Sequence, residues 1–295
     1  MLPMLTGCHD SHRLPQGTLY RCDKYTITAD SLIERNGITV RATSSMHLSY
    51  STNRRDWRLT DIPTSYPRAT LGMKLPDALY NLGVSNINSD TTATFSPYAV
   101  MLSLAYLDPQ RAMRTLRSLV KNGRISPLDE TAWPIDVSRV AWIVAAAEVY
   151  KVTGDKKWGK EVFEVARLSL RDDSHVNYRA DKELYCGGMV PLSRASQYYP
   201  KWMGAIDVFN TMSLTANALY ARAYSDMASI GESLGLDTGK YSEIATRLKH
   251  AINLYLWISD KGRYSQYLYG RFPIQSEVSD NLGQALCMLF DIATP

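Results

Sequence analysis

The chain reads as mainly α, a stack of helical hairpins preceded by a small N-terminal β segment. Between residues 90 and 295 one unit recurs, an amphipathic helix, a short turn and a second helix. It occurs three times and begins a fourth. From about 18 to 60 apolar and polar residues instead alternate at period two, the spacing of a half-buried strand. Pro63, Pro67 and Pro76 punctuate what lies between. The expected organisation is an N-terminal tether over 1–16, a β segment over 17–65, a linker over 66–89 and a helical-hairpin domain over 90–295.

The β segment comprises Tyr25–Thr28, Ser31–Arg35, Ile38–Arg41 and Met46–Tyr50, with Asn36-Gly37 as a two-residue hairpin signal, since both positions favour positive φ. About forty residues of meander make a small sheet or part of a larger β-domain. The first helix runs from Pro97 to Leu107. Asp108-Pro109 then supplies an N-cap and a proline at the first helical position of the next, which Gly123 closes. A second pair covers about 135–153 and 156–170 around Gly154-Asp155, and a third covers 211–234 and 240–257. In the first helix of that third pair Ala218, Ala221, Ala228 and Gly231 form a small-residue stripe that admits a close neighbour. Ser276–Ile292 opens a fourth pair. Between pairs two and three lies a long irregular stretch, 172–208, of a length that is usually functional. Hairpins of this kind bury their second faces only by stacking, and Leu282, Ala285, Leu286 and Leu289 of the last helix call for cover.

Thirty-three Lys and Arg against 29 Asp and Glu give a formal charge of +4, spread along helices in alternating sign apart from Arg54, Arg55 and Arg58. That pattern is a solvated surface and argues against nucleic-acid binding. Cys8, Cys22, Cys186 and Cys287 are scattered and the five His are isolated. The chain therefore offers neither a zinc site nor a disulfide framework, and no metal or cofactor is expected. Nineteen Tyr against 5 Phe is the excess, divided between helix packing and wet surfaces where a ring face and a hydroxyl are both useful. Leu5-Thr6-Gly7-Cys8 looks like a bacterial lipobox, although only Met1–Leu5 precede it where such a signal needs a basic start and a longer apolar run. Either the reading frame begins further upstream or the match is chance. A true lipobox would put a lipid anchor on Cys8 and make the protein exported, periplasmic or tethered to the outer membrane.

Chemistry concentrates in the loops. A saccharide site needs aromatic faces under the pyranose ring and Arg, Asn or carboxylates on the hydroxyls. Hydrolysis adds two carboxylates, about 6.5–9.5 Å apart for inversion and about 5–5.5 Å for retention. Trp133-Pro134-Ile135-Asp136 with Arg139 opens a helix, where Asp136 is either a site carboxylate or a charge favoured by the helix dipole. Gln197–Trp202 followed by Asp207 is the densest aromatic patch, with Tyr198 and Trp202 its candidate platforms. Arg263–Arg271 alternates like a strand, with Tyr267 and Tyr269 opposite Gln266, or is an ordinary hairpin between helices. Ser276-Glu277-Val278-Ser279-Asp280 precedes the last helix, as a capping arrangement or as the source of a second carboxylate, Glu277.

Taken together, Trp133-Pro-Ile-Asp-Val-Ser-Arg139, Ala146-Ala-Glu-Val-Tyr-Lys-Val-Thr-Gly-Asp155, Tyr199-Pro-Lys-Trp-Met203, Gly262-Arg-Tyr-Ser-Gln-Tyr-Leu-Tyr-Gly270 and Leu282-Gly-Gln-Ala-Leu-Cys287 resemble the six-hairpin glycosidases, and in particular bacterial members of the mannosylglycerate-hydrolase-like and glucosidase group. The resemblance covers about 90–295. It implies a partial (α/α)6 toroid with its site in the mouth, behind an N-terminal β-domain, acting on an oligosaccharide or polysaccharide, by inversion. Asp136 and Glu277 are then the expected catalytic carboxylates. Trp133, Tyr198, Trp202 and Tyr267 are the expected platforms, and Arg139, Arg194 and Asp207 the expected polar ligands. Three and a half hairpins do not close such a ring, so a further C-terminal half or self-association is expected. The chain also departs from the relatives' pattern. Thr92-Ala93-Thr94-Phe95 stands where they often have Trp-Thr-Arg-Asp, Ser193-Arg194-Ala195-Ser196-Gln197 where they often have Asp-Trp-Arg-Glu-Gln, and no Asp or Glu falls between Glu183 and Asp207. A non-catalytic glycan-binding lipoprotein is the alternative those departures leave open.

Overall fold

A computed structural model describes residues 17–21, 25–28, 30–34, 38–45, 47–53, 55–61, 72–89, 103–126, 137–188, 198–270 and 274–293. The chain divides into two compact units, 1–93 and 94–295.

The first unit is an antiparallel meander of six strands in sequential order, β1 (Thr18–Arg21), β2 (Tyr25–Thr28), β3 (Ser31–Glu34), β4 (Thr39–Ser44), β5 (His47–Ser51) and β6 (Arg58–Asp61). The Asn36-Gly37 turn lies outside the described residues. Pairings such as Leu32↔Val40 and Ala42↔Leu48 set Ile27, Leu32, Val40, Ala42 and Leu48 against one apolar cluster. That cluster is completed by a helix, α1 (Lys74–Ser89), through Leu75, Ala78 and Leu82. The helix stands where the sequence predicts a linker. Leu75, Ala78 and Leu82 recur at i, i+3 and i+7, but Pro76 masks the period, although proline is tolerated in a first helical turn. Asn81 Nδ2 fastens the helix to the β4–β5 turn through the Ser45 carbonyl at 2.8 Å.

The second unit stacks hairpins: α2 (Ala105–Leu107), α3 (Pro109–Ser118), α4 (Val137–Thr153), α5 (Lys156–Val176), α6 (Ala205–Phe209), α7 (Leu214–Ser233), α8 (Gly239–Leu256) and α9 (Asn281–Leu289). Helices α2, α4, α7 and α9 pack on one another in succession, while α3, α5 and α8 lie against them as a second layer. The sequence dictates this layering. α4 and α7 are apolar on nearly every face and are buried along most of their length, which only an inner position permits. α5 and α8 carry one apolar stripe, Trp158, Val162, Ala166 and Leu170 in the first and Tyr241, Ala245, Leu248 and Ile252 in the second. The two buried indoles bond to helical carbonyls, Trp142 Nε1 to Leu116 O at 2.8 Å and Trp158 Nε1 to Ala146 O at 3.0 Å, so neither leaves a buried donor unpaired. Gly231 lets α7 approach α5, since a Cβ there would stand 2.8 Å from the Phe163 ring and 2.3 Å from the Thr238 methyl.

Helix starts follow their caps. Asp108, Asp155, Ser213 and Asp280 each accept a backbone N–H from the first turn of α3, α5, α7 and α9. Gly123 does not close α3, which ends at Ser118. With Asn122 it forms the positive-φ turn of a two-residue hairpin, β7 (Val120–Lys121) to β8 (Arg124–Ile125). Helix α5 also runs six residues beyond the expected end, because Asp173 continues its buried stripe.

Alternating helix directions divide the loops by length. Short turns, Gly154-Asp155 and Leu234–Thr238, fall at one end. The described parts of the long connections, 119–126, 177–188, 198–213, 257–270 and 274–280, fall at the other, beside the N-termini of α4, α7 and α9. This open end is the mouth. Two of its loops are joined by backbone pairing, with β9 (Met212–Ser213) on β10 (Tyr267–Tyr269) and β10 on β11 (Ile274–Gln275).

Candidate functional site

The mouth gathers an aromatic corner from the loop that precedes α6 and from β10. Strand alternation puts Leu268 in the core and Tyr267 and Tyr269 on the other face, where they pack with Tyr199, Met203 and Val208. Tyr199 and Tyr267 stack with ring centroids 5.3 Å apart, and Trp202 meets Tyr269 edge-on at 5.7 Å. Trp202 is 64% exposed and Tyr198 46%. Gln266, buried behind them, donates to the Tyr198 carbonyl at 3.0 Å and sets that loop's height. Asp207 accepts the Tyr269 hydroxyl at 2.7 Å and the Gly204 N–H at 2.9 Å, the latter a cap for the first turn of α6. These two donors hold its carboxyl below the usual range, and the same contact raises the Tyr269 phenol. The corner offers ring faces with a fixed, ionised acceptor beside them, which is the equipment of a hydroxyl-rich ligand.

Of the residues predicted from sequence, Tyr198, Trp202, Asp207 and Tyr267 meet in this corner. Tyr267 is mostly covered, so it supports Tyr199 more than it presents a face of its own. Glu277 is bracketed by backbone bonds to the adjoining strand, Ser276 N to Tyr267 O at 2.9 Å and Gln266 N to Val278 O at 3.1 Å. Its side chain is 89% exposed and its nearest cation is Lys261 at 3.7 Å. The neighbouring Asp280 is buried by its work as cap of α9 and as acceptor of the Thr215 hydroxyl. Trp133, Asp136 and Arg194 lie outside the described residues, as does Cys8.

Arg139 is placed elsewhere than the sequence suggests. It is 8% exposed, and its guanidinium serves the protein. Nη1 donates to the Ile125 carbonyl at 2.8 Å, Nη2 lies 3.9 Å from Asp172, and Nε lies 2.9 Å from Asp173 Oδ1 but off the N–H direction, so charge rather than an aligned hydrogen bond holds that pair. The physical reason is helical phase: Arg139 shares the buried face of α4 with Trp142 and Ile143. Asp173, which the sequence reading passes over, lies beneath the mouth with no exposed side-chain surface. Burial pushes its carboxyl up to about 6, against the opposing pull of Arg139 and of the Tyr220 hydroxyl at 3.0 Å. Tyr220 stacks on Tyr185 at 3.8 Å, whose hydroxyl meets that of Tyr224 at 2.6 Å. Asn217 clamps the same strand, accepting from Tyr185 N at 2.7 Å and donating to Tyr185 O at 2.9 Å. The signal for Asp173 was present: it follows Ala166, Ser169 and Leu170 at helical spacing on the apolar stripe of α5.

Among the described residues no group of three or more His, Cys, Asp or Glu could hold a metal ion, and no helix is long and apolar enough to cross a membrane. Cys186 and Cys287 are buried thiols, and burial pushes Cys287 up to about 12, which leaves it unreactive.

Among curated proteins no relative matches the chain. A solved structure, that of a GH78 family rhamnosidase of Bacillus sp. GL1, is similar at 20% sequence identity and a TM-score of 0.49, over 68% of this chain and 21% of that one. A likeness that weak carries nothing about substrate or mechanism, and the chain spans only about a fifth of that enzyme. Residues 118–294, more than half of the chain, match the family described as the bacterial alpha-L-rhamnosidase six-hairpin glycosidase domain. The helical hairpins described above are those of the six-hairpin glycosidase superfamily that the sequence motifs indicate, and the chain belongs to the bacterial alpha-L-rhamnosidase six-hairpin glycosidase domain family.

Proposed function

We propose that this chain supplies part of the mouth of a glycoside hydrolase, acting on α-L-rhamnosides or related glycosides by acid/base hydrolysis with inversion. The observation that carries the reading is the corner of Trp202, Tyr198 and Tyr269 with Asp207. It is an aromatic surface left open to solvent at the end of the hairpins where the long loops gather. In it Trp202 and Tyr198 take the apolar face of a sugar ring, and Asp207 accepts a hydroxyl. Asp136, one residue before α4, and Glu277, before α9, are the proposed carboxylates. One protonates the leaving oxygen while the other activates water on the opposite face of the ring, which requires about 6.5–9.5 Å between them. Trp133 and Arg194 are proposed as further substrate-binding residues, and Arg139 acts by holding the start of α4 against Ile125 and Asp173.

The test is hydrolysis of an aryl α-L-rhamnoside by the full gene product. Asp136→Asn and Glu277→Gln should each lower turnover by about 10²–10⁴-fold, and unchanged turnover in both would remove them from the mechanism. Proton NMR of the first-formed anomer decides inversion against retention.

A second reading is a glycan-binding lipoprotein without catalysis, anchored at Cys8. The absence of any Asp or Glu between Glu183 and Asp207 and the Leu5-Thr6-Gly7-Cys8 motif favour it. Saturable binding of labelled oligosaccharides with no product release would establish this reading over the first.

A further inference from the structure

Between them α5 and α8 leave a groove of about 270 Å³ on the outer side of the stack. Tyr178, Tyr185, Tyr224 and Tyr241 line it with Leu170, Ser174 and Ile244, the Tyr178 and Tyr185 ring centroids lying 5.1 Å apart and those of Tyr224 and Tyr241 6.3 Å apart. Its rim is cationic: Arg167 and Arg171 come from α5, Lys240 and Arg247 from α8, and no Asp or Glu is among the lining residues. The carboxylates nearest these cations stand outside the groove. Arg167 pairs with Glu164 at 2.7 Å, Arg247 with Glu183 at 3.8 Å and Arg171 with Asp172 at 3.9 Å, while Lys240 sits 5.1 Å over the Tyr241 ring. Exposed pairs of that kind contribute little to stability and can exchange for an incoming carboxylate. Four cations gathered on one cleft, three of them in exposed pairs with carboxylates outside it, attract an anion that enters between them.

We propose that the α5–α8 groove is an accessory saccharide site that selects an acidic sugar, a pyranose carrying a carboxylate. The proposal rests on the reading of the chain as glycan-handling. The ring's C–H face lies on Tyr178 and Tyr241, and its carboxylate lies among Arg171, Lys240 and Arg247, with Arg171 and Arg247 able to present bidentate N–H pairs. The volume is at the small end for ligand sites and suits one or two sugar rings. The groove faces outward between second-layer helices while the mouth lies at the ends of the inner ones, so such a site would hold an acidic part of a substrate without occupying the place of cleavage.

Ligand-observed NMR titration of the full chain with glucuronate, with glucose as its neutral twin and with sodium sulfate, tests this. Glucuronate should bind at least tenfold more tightly than glucose. Arg171→Ala with Lys240→Ala should weaken it at least tenfold, and Trp202→Ala should leave it unchanged. Both cations are surface side chains, and circular dichroism checks that the double variant is folded; Arg171→Gln alone gives a milder change of the same sign. Equal binding of glucuronate and glucose overturns the proposal, as does sulfate competing as well as glucuronate, or sensitivity to Trp202→Ala alone. If glucuronate binding survives while the mouth variants leave glycoside hydrolysis untouched, the proposed function fails and the groove stands.

Discussion

The two ends of the inner helices solve opposite problems. Toward the closed end, Glu148 and Lys151 of α4 meet Arg222 and Asp226 of α7. Lys151 Nζ lies 2.8 Å from Glu148 and 2.9 Å from Asp226, and Arg222 reaches Asp226 through Nε at 3.0 Å and Glu148 through Nη2 at 3.0 Å. Tyr106 of α2 donates to the remaining Glu148 oxygen at 2.9 Å, so every oxygen of both carboxylates is engaged. Burial alone would raise Glu148, but Lys151, Tyr106 and Arg222 outweigh it and hold its carboxyl low. Asp226 is buried more deeply, and there burial wins and the carboxyl is pushed up. At the mouth Trp202 and Tyr198 are exposed, and Asp207 accepts from a phenol and a backbone N–H. One end joins three inner helices through buried polar groups, and the other leaves aromatic side chains exposed.

This contrast can be broken most forcefully at Asp226. Asp226→Ala strands Arg222 and Lys151 beside Glu148 and should lower unfolding stability by about 3–5 kcal/mol in denaturant titration. Gly231→Ala, which drives a methyl toward Phe163 and Thr238, should lower it by about 1–3 kcal/mol. Beneath the mouth, Asp173 keeps its proton in the native state up to about pH 6, whereas an unfolded chain releases it near ~3.9. The native state therefore binds more protons between those values, and this group's contribution to stability falls as pH rises from ~4 to ~6, by on the order of 2 kcal/mol. Subtracting the melting profile of Asp173→Asn from that of the parent should isolate that slope, and a flat difference would refute it. Trp202→Ala should change stability by no more than ~0.5 kcal/mol while weakening the binding of an α-L-rhamnoside at the mouth about tenfold or more by NMR titration. Asp207→Asn should leave the denaturation midpoint where it is, since its carboxylate is open to solvent.

Much of the scaffold was legible because helical period and capping are local. Asp108, Asp155 and Gly154 marked their boundaries within a residue or two. Proline punctuation hid α1, and the Asn122-Gly123 turn was read as a helix end because Gly serves both purposes. The aromatic corner is legible as composition: Tyr198, Trp202, Asp207 and Tyr267 come together although about seventy residues separate the first from the last. Arg139 shows that an Arg beside a loop motif and an Arg on a buried helical face look alike in sequence until the phase of α4 is known. Asp173 was hidden by its neighbour Asp172, a surface carboxylate bound to Arg124 at 2.6 Å, which made the pair look like ordinary helix-end charge. The α5–α8 groove joins residues from two hairpins, and no local pattern announces that.

The pairing of Met212 with Leu268 has a consequence for the order of events in folding. These strands close around the whole α7–α8 hairpin, so their register cannot form until both helices have grown and docked. Trp202 meets Tyr269 only when that closure is complete. Emission from Trp202, isolated by replacing the other indoles, would recover after helical ellipticity has returned, and the site would be the last part of this unit to come into being.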